Sequence, residues 1–544
     1  MSRAQDLPLA VLSRLILCLV LLGGLVACGG DAAPPTADET PDNVVLLPVE
    51  LDPTISFAIW FDVGSQNDPA GKEGLAALTG QMLSDGATET HSVDQILEKL
   101  YPLAASYQVR VDKEMTVLTG RAHRDTLDDF FSLFTDAYLR PAFRAEDFER
   151  LRSNQLSYLE KSLRYASDEE FGKAALELAS FAGTAYAHPI EGTVAGIESL
   201  TVDDVKAFYQ RWYTSDNATV ALGGGYPKEL VARFAATLDQ LPPGGAPSDP
   251  TILPPALDGR QVVLVDKPGP NTSISFGFPL DVQRGTKDFY ALWLANSWLG
   301  EHRNSSSHLF KVIREVRGLN YGDYSYIEAF PEGGMRQMPP ANVARQNQLF
   351  SVWIRTLPNE QALFATRAAL REIDALIADG MSEEEFELTR SFLSKYVKHF
   401  APTTQMQLGY RIDDVFYGID GDGHLQRFSA MMASLTRDEV NDAIRRHLQT
   451  ENLVFALVTG DAEGLRQAMI DDAPSPIEYP TPKSDEVLAE DEEIASYPLN
   501  LAADGVTILP VGEIFAQRAP ASTPAADAEV EAADEPIDTN ETEG

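Results

Sequence analysis

Positive charge and cysteine are scarce in this 544-residue sequence: 43 Lys and Arg face 82 Asp and Glu, and there are two Cys. A formal net charge of -39 argues against nucleic acid and anionic lipid headgroups as partners, since both repel an acidic chain. Cys18 lies within an N-terminal apolar run and Cys28 just after it, so no disulfide is expected to staple the body of the fold. Stability must come from burial, for which roughly 150 residues per domain leave ample core. The sequence also lacks a run of about 20 apolar residues long enough to span a bilayer. It has no G-x-S-x-G elbow and no Cys nucleophile beyond those two. An autonomous hydrolase is therefore left without a recognisable site.

The apolar run that is present, Leu15 to Val26, follows Arg3 and Arg14 and reads as a signal peptide. It ends in Leu25-Val26-Ala27-Cys28-Gly29, which resembles the bacterial lipobox. Residues 1–27 are read as a lipoprotein signal peptide, Cys28 as the lipidation site and 28–43 as a flexible tether. Gly29, rather than Asp, after the cysteine resembles the sorting signal for the outer membrane. The expected location is the periplasmic side, lipid-anchored, with the lipid as the sole membrane link.

Two long regions follow, separated by the Pro- and Gly-rich stretch Leu241 to Pro250. They are related. Ile55-Ser-Phe-Ala-Ile-Trp-Phe-Asp-Val63 matches Ile274-Ser-Phe-Gly-Phe-Pro-Leu-Asp-Val282, and Ser199-Leu-Thr matches Ser434-Leu-Thr. Thr201 with Asp204, and Thr436 with Glu439, form the same capping-box pattern at a helix start, and a strand should follow each helix. The second copy is about sixteen residues longer between these landmarks, and the loop-like Ala329 to Ala341 is the expected place for the excess. The expected fold is α+β, with halves duplicated in tandem at 44–240 and 259–475, a linker at 241–258 and an extension at 476–519 holding one possible strand from Val506. Residues 520–544, with eight acids and no base, should be a disordered tail.

The segment Phe57 to Gly86 resembles the strand, Gly-Ser turn and helix that carry H-x-x-E-H in the pitrilysin/insulinase-type zinc metallopeptidases. In that motif two His one helical turn apart bind zinc and the Glu activates the metal-bound water. The resemblance places the motif on Ala77, Gly80 and Gln81, and the family's third ligand, a Glu on a later helix, on Tyr158. None supplies the imidazole or carboxylate required. Glu160 stands about 200° round an α-helix from that position. Glu301, His302 and His308 cluster in sequence but read as exposed polar residues rather than a replacement zinc site.

A second family signature is intact. Leu309 to Gly322, with Arg314-Glu-x-x-Gly-Leu-x-Tyr321, resembles the R/Y element, in which an Arg and a Tyr reach across the chamber to the scissile peptide. A guanidinium and a phenol can both donate to a carbonyl oxygen and to the oxyanion that develops there. Tyr186-Ala-His-Pro189 and Tyr213 to Asn217 are also similar to family landmarks. The resemblance implies halves enclosing a chamber, no cofactor bound here, and a non-catalytic subunit. That subunit would help bind peptide and lend Arg314 and Tyr321 to a zinc-bearing homologous partner. The alternative it leaves is a peptide-binding or scaffolding lipoprotein with no part in proteolysis.

Overall fold

The structure, a computed structural model, describes residue 41, residues 43–245 and residues 247–516. The signal segment, Cys28 and the acidic end from residue 517 lie outside the described residues. Residues 44–224 build a mixed sheet of β1 (Val44–Pro48), β2 (Thr54–Phe61), β3 (Ser106–Val111), β4 (Thr116–His123) and β5 (Ala218–Gly224), in the order β1-β5-β2-β4-β3. A second sheet comprises β6 (Gln261–Asp266), β7 (Asn271–Leu280), β8 (Asp323–Tyr326), β9 (Gln348–Pro358), β10 (Val454–Thr459) and β11 (Val506–Pro510). Its order, β11-β6-β10-β7-β9-β8, repeats the first sheet strand for strand, with β11 added parallel to β6. Both capping boxes form: Thr201 and Thr436 accept from the amides of Asp204 and Glu439, and a strand follows each helix.

Strand β2 is buried from Ile55 to Phe61, with Ser56 the one polar residue among them, because both of its faces are covered. Ile55, Phe57, Ile59 and Phe61 point into the core of their own half. Ala58 and Trp60, on the alternate face, meet Leu408 and Ile412 of the helix Thr404–Phe416 from the other half. The exchange is reciprocal. Helix Asp168–Ser180 of the first half lies on β7 and β10, where Phe171, Ala175 and Leu176 share a core with Val454, Ala456 and Val458. Small residues permit both approaches: a Cβ on Gly172 would stand 2.9 Å from Ser275 Oγ, and one on Gly223 would stand 3.1 Å from Thr404 Cγ2. Each full burial of a Leu or Phe at such a seam contributes roughly 1.5–3 kcal/mol, so the halves clasp firmly.

The C-terminal extension is part of the body. After helix Asp485–Ala495 and β11, the chain crosses to the first half, where Arg164 donates to Ile514 O at 2.7 Å and Val194 N to Phe515 O at 2.9 Å. Among the described residues no helix is long and apolar enough to cross a membrane.

Candidate functional site

A cleft of about 1,010 Å³ lies between the halves. Ala77, Gln81 and Tyr158 all line it, so the fold brings together three of the four positions where the family resemblance places its zinc chemistry. The helix Leu75–Asp85 starts where the Asp68 carboxylate accepts from Gly74 N and Ala76 N, both at 2.7 Å; burial nonetheless pushes that carboxyl up to about 8. Gly80 lies against β3, where a Cβ would meet Val111 Cγ2 at 2.5 Å. Tyr158 begins a π-helical stretch, Tyr158–Ala166, that continues the helix Ala145–Ser157; such stretches recur at functional sites. The Gln155 amide ties this helix to the first, donating to Gly74 O at 3.0 Å and Glu191 O at 2.6 Å. Burial, with Glu191, Glu170 and Glu332 nearby, raises the Tyr158 phenol. Glu160 is exposed and is not among the cleft-lining residues.

These residues do not fit zinc. A methyl group, a backbone glycine sealed by valine, an amide and a protonated phenol offer no anionic or imidazole ligand set, and no cluster of three metal-binding side chains occurs among the described residues.

The opposite wall is the expected extra loop, Ala329 to Ala341, together with Asn342. It is held along its length. The Glu170 carboxylate accepts from Glu332 N and Gly333 N, both at 3.0 Å, and Lys173 donates to Phe330 O at 3.2 Å. Tyr410 donates to Pro339 O at 2.9 Å and Asp413 accepts from Asn342 N at 2.9 Å. The expectation that Glu301 and His302 are exposed is corrected here: they are 6% and 3% exposed. His302 Nε2 shares its proton between Gly333 O and Arg336 O, both at 3.1 Å, while Nδ1 takes the Tyr326 hydroxyl at 2.9 Å. The ring therefore stays neutral, its pKa lowered by burial to about 4. His308 is only partly exposed and pairs with Glu372 at 2.5 Å. Sequence spacing could not reveal this, because the loop that buries His302 returns from some thirty residues downstream.

The floor of the cleft is an ion network joining the halves. Arg345 reaches Asp112 at 2.6 Å and Glu177 at 2.7 Å, and the fully buried Lys113 approaches Glu177 at 3.5 Å and donates to Tyr186 O and His188 O. Glu114 accepts from the Tyr186 hydroxyl and, at 2.6 Å, from Gln346 N of the other half; burial pushes it up to about 7. The Tyr-Ala-His-Pro landmark is thus a cradle for Lys113. Charged residues scattered along the chain gave no sequence signal for this network.

Arg314 and Tyr321 stand elsewhere, outside the residues that line this cleft. Arg314 sits on a second π-helical stretch, Phe310–Val316. That stretch ends in an αL closure at Gly318, with Gly318 N to Arg314 O at 2.8 Å and a further bond from Leu319 N to Ile313 O at 3.3 Å. Gly318 has φ +73, so the Gly-Leu pair of the signature serves the turn. Asn320 donates to Asp323 Oδ1 at 2.6 Å and fixes the next corner. Arg314 and Tyr321 have no such role. The guanidinium lies 4.9 Å from the Tyr321 ring centre, Tyr321 is 75% exposed, and among the described residues Arg314 forms no ion pair.

Comparison with known proteins accords with this geometry. Residues 44–194 match the family described as insulinase (peptidase family M16), and residues 199–393 match the peptidase M16 inactive domain. An uncharacterized zinc protease of Streptomyces coelicolor is 24% identical over 61% of this chain and 69% of its own length. The non-peptidase homolog YmxG of Helicobacter pylori is 23% identical over 71% of this chain and 84% of its own. Among solved structures, a peptidase M16 inactive domain from Pseudomonas fluorescens superposes with a TM-score of 0.68 at 22% identity, covering 77% of this chain and 96% of that one. The chain belongs to peptidase family M16, the insulinase family, as a non-catalytic M16-type protein whose motif positions hold no zinc-ligating set.

Proposed function

We propose that this chain is the non-catalytic subunit of a heteromeric zinc metallopeptidase, held by a lipid on Cys28 at the periplasmic face of the outer membrane. It helps bind peptide and lends Arg314 and Tyr321 to the active site of a zinc-bearing homologue. The observation that carries this reading is an asymmetry. The zinc positions are Ala77, Gly80, Gln81 and Tyr158, while the R/Y pair is retained, with Tyr321 exposed, Arg314 half-buried beside it, and both side chains free of intramolecular hydrogen-bond and ion-pair duties among the described residues. An unpaired guanidinium beside a free phenol is a donor pair suited to a developing oxyanion, and its outward position suits a site completed by another chain.

Peptide binding without proteolysis is the second reading. It is favoured by β3, an edge strand whose residues Gln108 to Val111 line the cleft; an extended peptide can add to such an edge through main-chain hydrogen bonds. Co-expression of the tagged full chain with an H-x-x-E-H homologue from the same genome separates the two. A stable complex that carries zinc and cleaves peptide faster than the homologue alone supports the first reading. Chains that elute separately, with cleavage by the homologue unchanged, leave the second.

A further inference from the structure

The C-terminal extension beyond residue 476 lies outside both family matches, the later of which ends at residue 393, yet it grips the turn that carries Arg314 and Tyr321. Arg317, three residues from Arg314, is buried with its side chain 1% exposed. Its Nε donates to Asp491 at 2.7 Å and one terminal nitrogen to Glu490 at 2.7 Å, both on the helix Asp485–Ala495. The other terminal nitrogen donates back to Val312 O at 2.9 Å. Lys483, just before that helix, donates to Val316 O at 2.5 Å. Two carbonyls of the π-helical stretch, whose wide hydrogen-bonding pattern is rarely sustained, thus find cationic partners. Tyr479 locks the arrangement by donating to Asp491 Oδ2 at 2.7 Å. Arg371 links the same patch to the core helix Ala362–Asp379, reaching Glu490 at 3.0 Å and Glu372 at 2.7 Å, and Glu372 in turn holds His308.

We propose that the segment Tyr479–Asp491 is a positioning brace for the R/Y element, with Arg317 its anchor and Lys483 its cap. Arg317 and Lys483 touch no substrate. They fix the turn from behind, so that Arg314 and Tyr321 project from a rigid base rather than from a fraying π-helical end. The value of that rigidity to turnover rests on the proposed function; the bracing does not. A bidentate buried guanidinium fits this role better than lysine, since its planar fork bonds two carboxylates and a carbonyl at once.

Hydrogen–deuterium exchange on the full chain tests the brace directly. In the double variant Glu490→Gln/Asp491→Asn, and in the milder Lys483→Met, amides of residues 310–322 should exchange at least about tenfold faster, while β2 and β4 keep their protection. Arg317→Lys should fall between these and the parent. Unchanged exchange across 310–322 in the double variant and in Lys483→Met overturns the brace, whatever happens to activity. In the reconstituted heteromer the same variants should lower kcat at constant KM. If exchange rises but kcat holds, in a complex where Tyr321→Phe does slow turnover, the positioning role is overturned. If Tyr321→Phe itself has no effect, the proposed function fails and the exchange data alone decide the brace.

Discussion

Gly80 rests against Val111 so closely that a Cβ on the glycine would lie 2.5 Å from Val111 Cγ2. The motif helix has therefore lost more than its ligands, because the position of the family's catalytic Glu is closed by the neighbouring strand. Rebuilding Ala77→His, Gly80→Glu and Gln81→His should yield no tightly bound zinc and no peptidase activity, and should lower stability by roughly 1–3 kcal/mol through overpacking. Zinc analysis after dialysis, with thermal unfolding, checks this. One retained zinc per chain contradicts it.

Glu114 gives a pH prediction. Its folded pKa of about 7 exceeds its usual 4.5 because burial disfavours the anion. A raised carboxyl binds its proton more tightly in the folded chain, so its stabilising contribution is complete below pH 4.5 and is lost as pH rises through about 7. A shift of that size corresponds to roughly 3 kcal/mol. Glu114→Gln, which can still accept from Tyr186 and Gln346, should be more stable than the parent at pH 8 and no more stable at pH 5. Parallel melting curves of the two proteins at both values check the sign.

His302 holds the loop that walls the cleft. His302→Ala removes the shared donor to Gly333 O and Arg336 O and opens a buried cavity, so it should cost about 2–4 kcal/mol. It should also free the loop, so that tryptic cleavage after Arg336 is faster than in the parent. Because burial lowers the ring to about 4 from 6.5, the unfolded chain alone takes up a proton between those values. The stabilisation is thus present above pH 6.5 and lost as pH falls toward 4. Limited proteolysis with mass mapping at pH 8 decides the loop prediction; equal resistance of both proteins counts against it.

Much of the fold was legible in the sequence because duplication leaves marks that chemistry preserves. The paired Ile-Ser-Phe runs became β2 and β7, and the two Thr-capped helices lead into β5 and β10. The degenerate motif was equally plain, since Ala77 and Gln81 occupy one helical face on the cleft. What could not be read were relations made by chain return. His302 is buried by a loop that closes over it, Lys113 is neutralised by Glu177 and by carbonyls near Tyr186, and Arg317 is paired with an extension more than 170 residues downstream. No local periodicity encodes such pairings.

Cys28 carries the membrane prediction. Cys28→Ser should move the protein from the membrane to the soluble periplasmic fraction, since no helix among the described residues can span a bilayer and the net charge of -39 repels anionic lipid. Fractionation with immunoblotting checks it. A variant that still sediments with membranes, in cells lacking any partner homologue, contradicts the lipid anchor.

The central claim is that Tyr321 acts in a partner's active site, and peptide cleavage by the reconstituted heteromer tests it most directly. Tyr321→Phe removes only the hydroxyl, on a side chain 75% exposed, so folding and assembly should be unaffected. Losing one oxyanion donor typically costs about 2.7–4 kcal/mol in the transition state. The account predicts that turnover falls roughly 100- to 1,000-fold while the complex elutes unchanged. Equal turnover with Tyr321 and Phe at this position, in a complex of unchanged stoichiometry, would contradict it.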